Sequence, residues 1–251
     1  MPVDQGLTLE LERAVKAAGV MAQKKREHLE TELKPDGSIV TNADREVETF
    51  LREELAPLVP EATFWGEEFG FDEPSSNTVW LIDPVDGTTN FAFGQPLWGV
   101  TVALMRDGRL EAGAVVLPDL DWSFRAGLGD GAFLNGEVLP QIEPGPIQPF
   151  QLVGQSDDKT DPFEFLPGKR RHFGSFVVEG MFLARGYFRA MTSTKVKLYD
   201  AAGCLVVLRE VGLEVRTLEG CLFDEAKWLR NERVEPFVMV PRNAWPWDSL
   251  G

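Results

Sequence analysis

Asp107-Gly108 stands between two long apolar runs, Trp98 to Met105 and Leu110 to Leu117. Asp-Gly between such runs is a strong hairpin signal, because both residues tolerate the positive φ that a tight turn needs. An antiparallel pair is therefore expected in the middle of the chain. Ala62 to Trp65 and Thr78 to Ile82 read as further strands before it. Trp122 to Arg125 and Gly131 to Leu134 read as a second hairpin after it, with a turn at Asn135-Gly136. Helical spacing flanks this strand-rich region. Leu7, Leu11, Val15, Ala18 and Ala22 share one face of a first helix running to about Leu29, and Val47, Phe50, Leu51 and Leu55 belong to a second that stops at or before Pro57.

Residues 140–149 hold four prolines and a glycine, which removes ladder donors and marks a linker. Beyond it, strands near Gln151 to Gly154, Tyr187 to Met191 and Leu213 to Thr217 alternate with helices at Ser175 to Arg185 and Ala201 to Val211. The expected fold is α/β (α+β), a layered sandwich of helices and sheets in two subdomains, residues 1–140 and 150–251. At 251 residues the chain can bury a full core. Its net charge of −15 disfavours nucleic acid and anionic membrane as partners. Two cysteines, Cys204 and Cys221, exclude a disulfide framework and a Cys-rich zinc site, and two buried free thiols are expected. The absence of a basic, apolar leader and of any long apolar run points to a cytoplasmic protein.

The chemistry is densest at Trp80-Leu81-Ile82-Asp83-Pro84-Val85-Asp86-Gly87-Thr88-Thr89-Asn90-Phe91. Pro84 cannot donate to a ladder, so the strand is expected to end at Asp83. Asp86 follows one turn later, and the two carboxylates can converge beyond the strand. Gly87 supplies positive φ, and Thr88 or Thr89 can cap a following helix whose N–H groups favour an anion. Oxygen ligands without imidazole or thiolate suit Mg²⁺ rather than Zn²⁺. Taken singly, Glu67, Asp44 and Asp200 read as a loop acid and two helix-start acids. Ala201-Ala202-Gly203 after Asp200 adds the expectation of close packing.

Ile82 to Phe91 resembles the signature of the inositol monophosphatase family of Mg²⁺-dependent, lithium-sensitive phosphatases. Four other segments follow in the family's order: Asp36 to Asp44, Gly66-Glu67-Glu68, Gly129 to Gly136 and Tyr199-Asp200-Ala201-Ala202-Gly203, with Gly174-Ser175 resembling the Gly-Ser that opens a substrate-side helix. The resemblance implies a phosphomonoesterase acting on a small phosphorylated metabolite, with two or three Mg²⁺ per site, and a homodimer. One ion would bind Glu67, Asp83 and the Val85 carbonyl, and a second Asp83, Asp86 and Asp200. Thr88, with Glu67 or Asp44, would orient the attacking water, and the N–H groups of Gly87 and Thr88 would hold the phosphate.

Departures from the family bear on the substrate. Family members specific for inositol phosphate carry a glutamate seven residues before the C-terminal motif aspartate; Ser193 stands there. Arg189, Lys195 and Lys197 are nearby, so Ser193, Arg189 and Lys195 join Gly174 and Ser175 as candidate substrate contacts, and a second anionic group on the substrate becomes attractive. Candidate substrates are inositol phosphate, histidinol phosphate, fructose 1,6-bisphosphate, NADP and 3′-phosphoadenosine 5′-phosphate. The alternative is a non-catalytic, metal-binding regulatory protein. His28 and His172 read as solvated surface residues, and the Trp245-Pro246-Trp247 tail as a docking segment or a dimer contact.

Overall fold

The computed structural model describes residues 4–35, 37–72, 76–156, 161–229 and 235–244. Asp36 and the Trp245–Trp247 tail lie outside the described residues. Helices α1 (Gln5–Lys25) and α2 (Asn42–Leu55) flank a small hairpin of β1 (Thr31–Leu33) and β2 (Ile39–Thr41). The next strands are β3 (Thr63–Gly66), β4 (Gly70–Phe71), β5 (Thr78–Asp86), β6 (Gly99–Arg106), β7 (Arg109–Leu117), β8 (Trp122–Gly127), β9 (Gly131–Leu134) and β10 (Glu137–Val138). They form one eight-stranded sheet in the order β10-β9-β8-β7-β6-β5-β3-β4. A short helix α3 (Thr88–Ala92) separates β5 from β6. Past the proline-rich stretch, β11 (Leu152–Gln155), β12 (Lys169–Arg171), β13 (Ala190–Ser193), β14 (Leu213–Thr217) and β15 (Phe237–Pro241) form a five-stranded sheet in the order β12-β11-β13-β15-β14. Helices α4 (Phe176–Ala184) and α5 (Leu198–Glu210) belong to this second half.

The layers run α-β-α-β. The inner face of α1 and α2, with Leu11, Val15, Val47 and Leu51, buries against Trp80, Ile82, Val100 and Val102 of the large sheet. On the opposite face α4 and α5 lie between the two sheets, and a single apolar cluster runs from Leu81 and Val115 through Leu205 to Val215 and Met239. Helix α5 is apolar all round, as a helix covered on both sides must be. Ile147, Phe163, Val153 and Val238 close the outer side of the small sheet.

Most strands and helices lie within a few residues of the sequence expectations, and the differences at β5 and β13 have clear causes. Strand β5 does not stop at Pro84. It continues to Asp86, with a register shift against β6 between Asp83 and Asp86, and such an irregularity accommodates a residue without an N–H. The 187–191 strand starts three residues later, because Tyr187 and Phe188 turn back to hydrogen-bond the Phe182 carbonyl. The basic run Lys169–Arg171 forms β12 at the sheet edge, where charged side chains keep other strands away. Strand β15, unforeseen, pairs centrally between β13 and β14. Of the two free cysteines, Cys204 is buried, whereas Cys221 is exposed. No described helix is long and apolar enough to cross a membrane.

Candidate active site

Two neighbouring strands build the site. Strands β3 and β5 run parallel with Gly66 opposite Ile82, so Glu67, the first residue past β3, stands beside Asp83, which is still within β5. The Glu67 N–H donates to the Ile82 carbonyl at 3.1 Å, which extends the pairing to Glu67 itself. The carboxyl ends of parallel strands are the usual place for a site in such sheets.

Asp200 comes from the other half of the chain, and small residues set its position. Asp83 pairs with Thr101 on β6. A Cβ added to Gly203 would fall 2.2 Å from Thr101 Oγ1 and 3.1 Å from the Ala114 and Val102 carbonyls, and one added to Gly113 would fall 2.8 Å from the Gly203 carbonyl. Helix α5 thus rests directly on the rung that holds Asp83. Tyr199 packs edge-on against Trp65, with ring centroids 5.4 Å apart. The Asp200 carboxylate accepts the Lys197 N–H at 2.7 Å, which ties it to the backbone at the start of α5. Consequently Glu67, Asp83 and Asp200 each offer an oxygen within 4.8 Å of the other two.

Asp86 sits one step further along. The Ser175 hydroxyl donates to its Oδ2, as does the Val177 N–H at 2.9 Å. Ser175 also accepts from the Val178 N–H at the start of α4. Its hydroxyl therefore holds Asp86 and caps a helix. Gly174, at φ 73°, lies against the Asn90 amide, and Asn90 donates to the Leu97 and Phe173 carbonyls at 2.7 Å each. Gly87 adopts φ 82°, and a Cβ there would meet Ser175 Cβ at 2.9 Å. No side chain caps α3; the expected threonine cap is absent because Gly87 itself occupies the cap position. The Thr88 hydroxyl instead lies 2.9 Å from the Val85 carbonyl and 3.2 Å from Asp44 Oδ1. Asp44 is fully buried and accepts from the Thr41 N–H and hydroxyl at 2.9 and 2.5 Å. Asp83 accepts from the Val85 N–H at 3.0 Å.

These acids crowd one another. Burial, then the charges of Glu67, Asp86, Asp200 and Asp44, push the Asp83 pKa well up. Lost solvation raises Asp200 in the same way, with Glu67 adding to it. Asp86 keeps some surface open, but desolvation outweighs the Ser175 and Val177 hydrogen bonds and pushes it up to about 6. Burial pushes Asp44 up to about 6 against the Thr41 hydrogen bonds. Like charges this close favour protons or cations among them. One cation is built in. Lys34 Nζ lies 2.8 Å from both Glu67 and Glu68, and although burial opposes its charge, these carboxylates raise its pKa.

A cleft of 410 Å³ opens over the rim, lined by Lys34, Ser38, Glu67, Glu68, Lys195, Lys197, Tyr199 and Asp200. Lys195 is thus brought to the site. Arg189 is not: it lies at the opposite end of β13 and donates from Nη2 to the Gly145 carbonyl at 2.8 Å, beside a separate cavity of 280 Å³. Ser193 is buried at the end of β13, opposite Phe237, rather than lining the cleft. His28 and His172 are exposed, with His172 Nδ1 2.8 Å from the Gln155 carbonyl. Sequence reasoning passed over Lys34 and Glu68. Both were visible only as a turn lysine and the second acid of a pair.

The model of the inositol monophosphatase family matches residues 3–239. The chain belongs to the inositol monophosphatase family. It is 30% identical over 228 residues to a histidinol-phosphatase of Chlorobaculum parvum, covering 87% of this chain and 85% of that one. It is also 30% identical over 212 residues to an inositol-1-monophosphatase of Mesorhizobium japonicum, covering 77% of each. Among solved structures, an IMPase/NADP phosphatase complexed with Mg²⁺ and phosphate shares the fold with a TM-score of 0.82, at 22% identity over 96% of this chain and 92% of that one. Relatives in this family thus carry the names of phosphatases with different substrates.

Proposed function

We propose that the chain hydrolyses a small, soluble phosphate monoester with Mg²⁺ as cofactor. The observation that carries this is the meeting of Glu67, just past β3, Asp83, within β5, and Asp200, at the start of α5, within 4.8 Å. The donor set is all carboxylate, with the Val85 carbonyl and Asp86 adjacent, and hard oxygen donors fit Mg²⁺. The raised pKa values of Asp83 and Asp200 mark a rim short of positive charge, which divalent ions would supply.

Glu67, Asp83 and the Val85 carbonyl would hold one ion, and Asp83, Asp86 and Asp200 a second. Bound there, Mg²⁺ supplies Lewis acidity: it lowers the pKa of a coordinated water and neutralises charge on the phosphoryl and leaving oxygens. The Thr88 hydroxyl, set between Asp44 and the Val85 carbonyl, orients the attacking water, and Asp44 takes up its proton through that hydroxyl. The Gly87 and Thr88 N–H groups, at a turn where only glycine fits at position 87, receive the phosphate. Lys195 and Lys197 contact the rest of the substrate from the cleft wall. Inositol and histidinol phosphates head the candidates, because relatives bearing those names align over most of the chain.

The test is phosphate release from inositol 1-phosphate, histidinol phosphate, fructose 1,6-bisphosphate and NADP, each with Mg²⁺ and with EDTA. One ester cleaved with Mg²⁺ and spared with EDTA supports the reading. Silence across the panel from folded protein that binds Mg²⁺ favours the regulatory alternative.

A further inference from the structure

We propose that Glu48 is a positioning residue: its carboxylate sets the turn that carries Glu67, and α2 ties that turn to the Asp44–Thr88 pair. This rests on the metal-site reading above. Glu48 is fully buried on α2, and its Oε2 accepts the Glu68 N–H at 2.8 Å. Its Oε1 accepts from Arg52 Nε at 3.0 Å. Arg52 in turn reaches both Asp72 oxygens at 3.0 and 3.1 Å and donates to the Gly70 carbonyl at 3.2 Å. One carboxylate and one guanidinium therefore clamp residues 66–72 from the helix side.

The fit is tight enough to dictate a residue type. A Cβ on Gly66 would lie 1.9 Å from Glu48 Oε1, so the strand leaves out a side chain where the carboxylate sits. Asp44 and Glu48 are four residues apart, hence on one face of α2. Asp44 meets Thr88, and Glu48 meets the Glu67-Glu68 turn. Helix α2 thereby fixes the spacing between the water-orienting pair and a metal ligand. If Glu48 served only to dock α2, an apolar side chain would do so without the cost of burying a charge. A carboxylate that receives the turn's N–H does something such a side chain cannot.

The experiment uses the full chain and compares Glu48→Ala, Glu48→Gln, Gly66→Ala, the Glu48→Ala/Gly66→Ala double variant and Leu51→Ala, a core truncation on the same helix. Melting temperature without metal and the Mg²⁺ concentration for half-maximal thermal stabilisation are both read. Glu48→Ala should raise the half-saturating Mg²⁺ by about tenfold or more, as loss of groups that orient ligands does. Glu48→Gln, which keeps an acceptor for the Glu68 N–H, should shift it less. Gly66→Ala should reproduce the Glu48→Ala shift and add little to it in the double variant, because the vacated space takes the new methyl group. Leu51→Ala should lower the melting temperature and leave the Mg²⁺ response in place. The proposal is overturned if Glu48→Ala and Leu51→Ala behave alike, or if Gly66→Ala is as harmful without Glu48 as with it. Glu48→Gln and Gly66→Ala carry the test should Glu48→Ala not fold. A wild-type chain that ignores Mg²⁺ would instead sink the metal reading itself.

Discussion

The carboxylate rim and the stretch from Arg189 to Lys197 are adjacent in the fold but built differently. At the rim, every acid is held by a backbone N–H, a hydroxyl or a neighbouring cation: Asp83 by Val85, Asp86 by Ser175 and Val177, Asp200 by Lys197, Asp44 by Thr41, Glu67 by Lys34. Along Arg189 to Lys197, side chains diverge. Arg189 ties down the proline-rich segment, Ser193 is buried in the sheet, and Lys195 and Lys197 line the cleft. The lesson is that the acids sit where sheet register and helix packing fix their distances, whereas the 189–197 side chains are placed one by one, and only Lys195 and Lys197 reach the cleft.

That contrast can be broken at either side. Asp83→Asn removes the acid shared by both proposed ions, and phosphate release at a Mg²⁺ concentration that saturates the wild-type chain should fall by about 10²-fold or more. Thr88→Ala should lower kcat by about 10²-fold, the scale of a lost proton-transfer partner, while Mg²⁺ affinity measured by thermal shift stays close to wild type. Gly203→Ala drives a methyl into Thr101 and the β7 backbone. It should cost about 1–3 kcal/mol, readable as a lower melting temperature, and should weaken Mg²⁺ binding by displacing Asp200.

The pH dependence sharpens the same point. Asp44 and Asp86 titrate near 6 in the folded chain, above the ordinary value of 3.8. Between those values the folded state holds more protons than the unfolded one, so stability falls as pH rises through that window. Metal-free protein should therefore melt several degrees higher near pH 5 than at pH 7, and Mg²⁺ should abolish the difference by neutralising the rim. A melting temperature that climbs from pH 5 to 7 without metal would contradict the crowding. The smallest effect belongs to the other region: Arg189→Ala should leave kcat and KM within about twofold and lower stability by about 1 kcal/mol, the worth of one hydrogen bond.

The rim was legible because its geometry is local. Asp83, Asp86 and Gly87 lie within five residues, and the residues on either side of them already describe a strand, a turn and a helix start. Asp200 read alone only as a helix-start acid, and it was the family resemblance that placed it at the rim; Gly203 after it makes the close contact between α5 and the sheet. Glu48 left a fainter trace, an acid one helical turn after Asp44 and flanked by the buried Val47 and Leu51. Its role depends on a glycine eighteen residues away, which no local pattern connects to it. The same holds for Arg189, whose partner is a carbonyl forty-four residues back. Strand β12 was hidden because Lys169-Arg170-Arg171 has no strand-like alternation and is held by pairing with Leu152–Gly154. Pro84 misled for a physical reason as well: it forbids a regular ladder but not an irregular one.

We propose above that this rim is a metal centre on which the chemistry depends. Its most direct test is a calorimetric titration of metal-free protein with Mg²⁺ at neutral pH, run beside Asp83→Asn. Saturable binding by the wild-type chain and its loss in the variant are the expected results. Equal binding by both, or none by a folded wild-type chain, would contradict it.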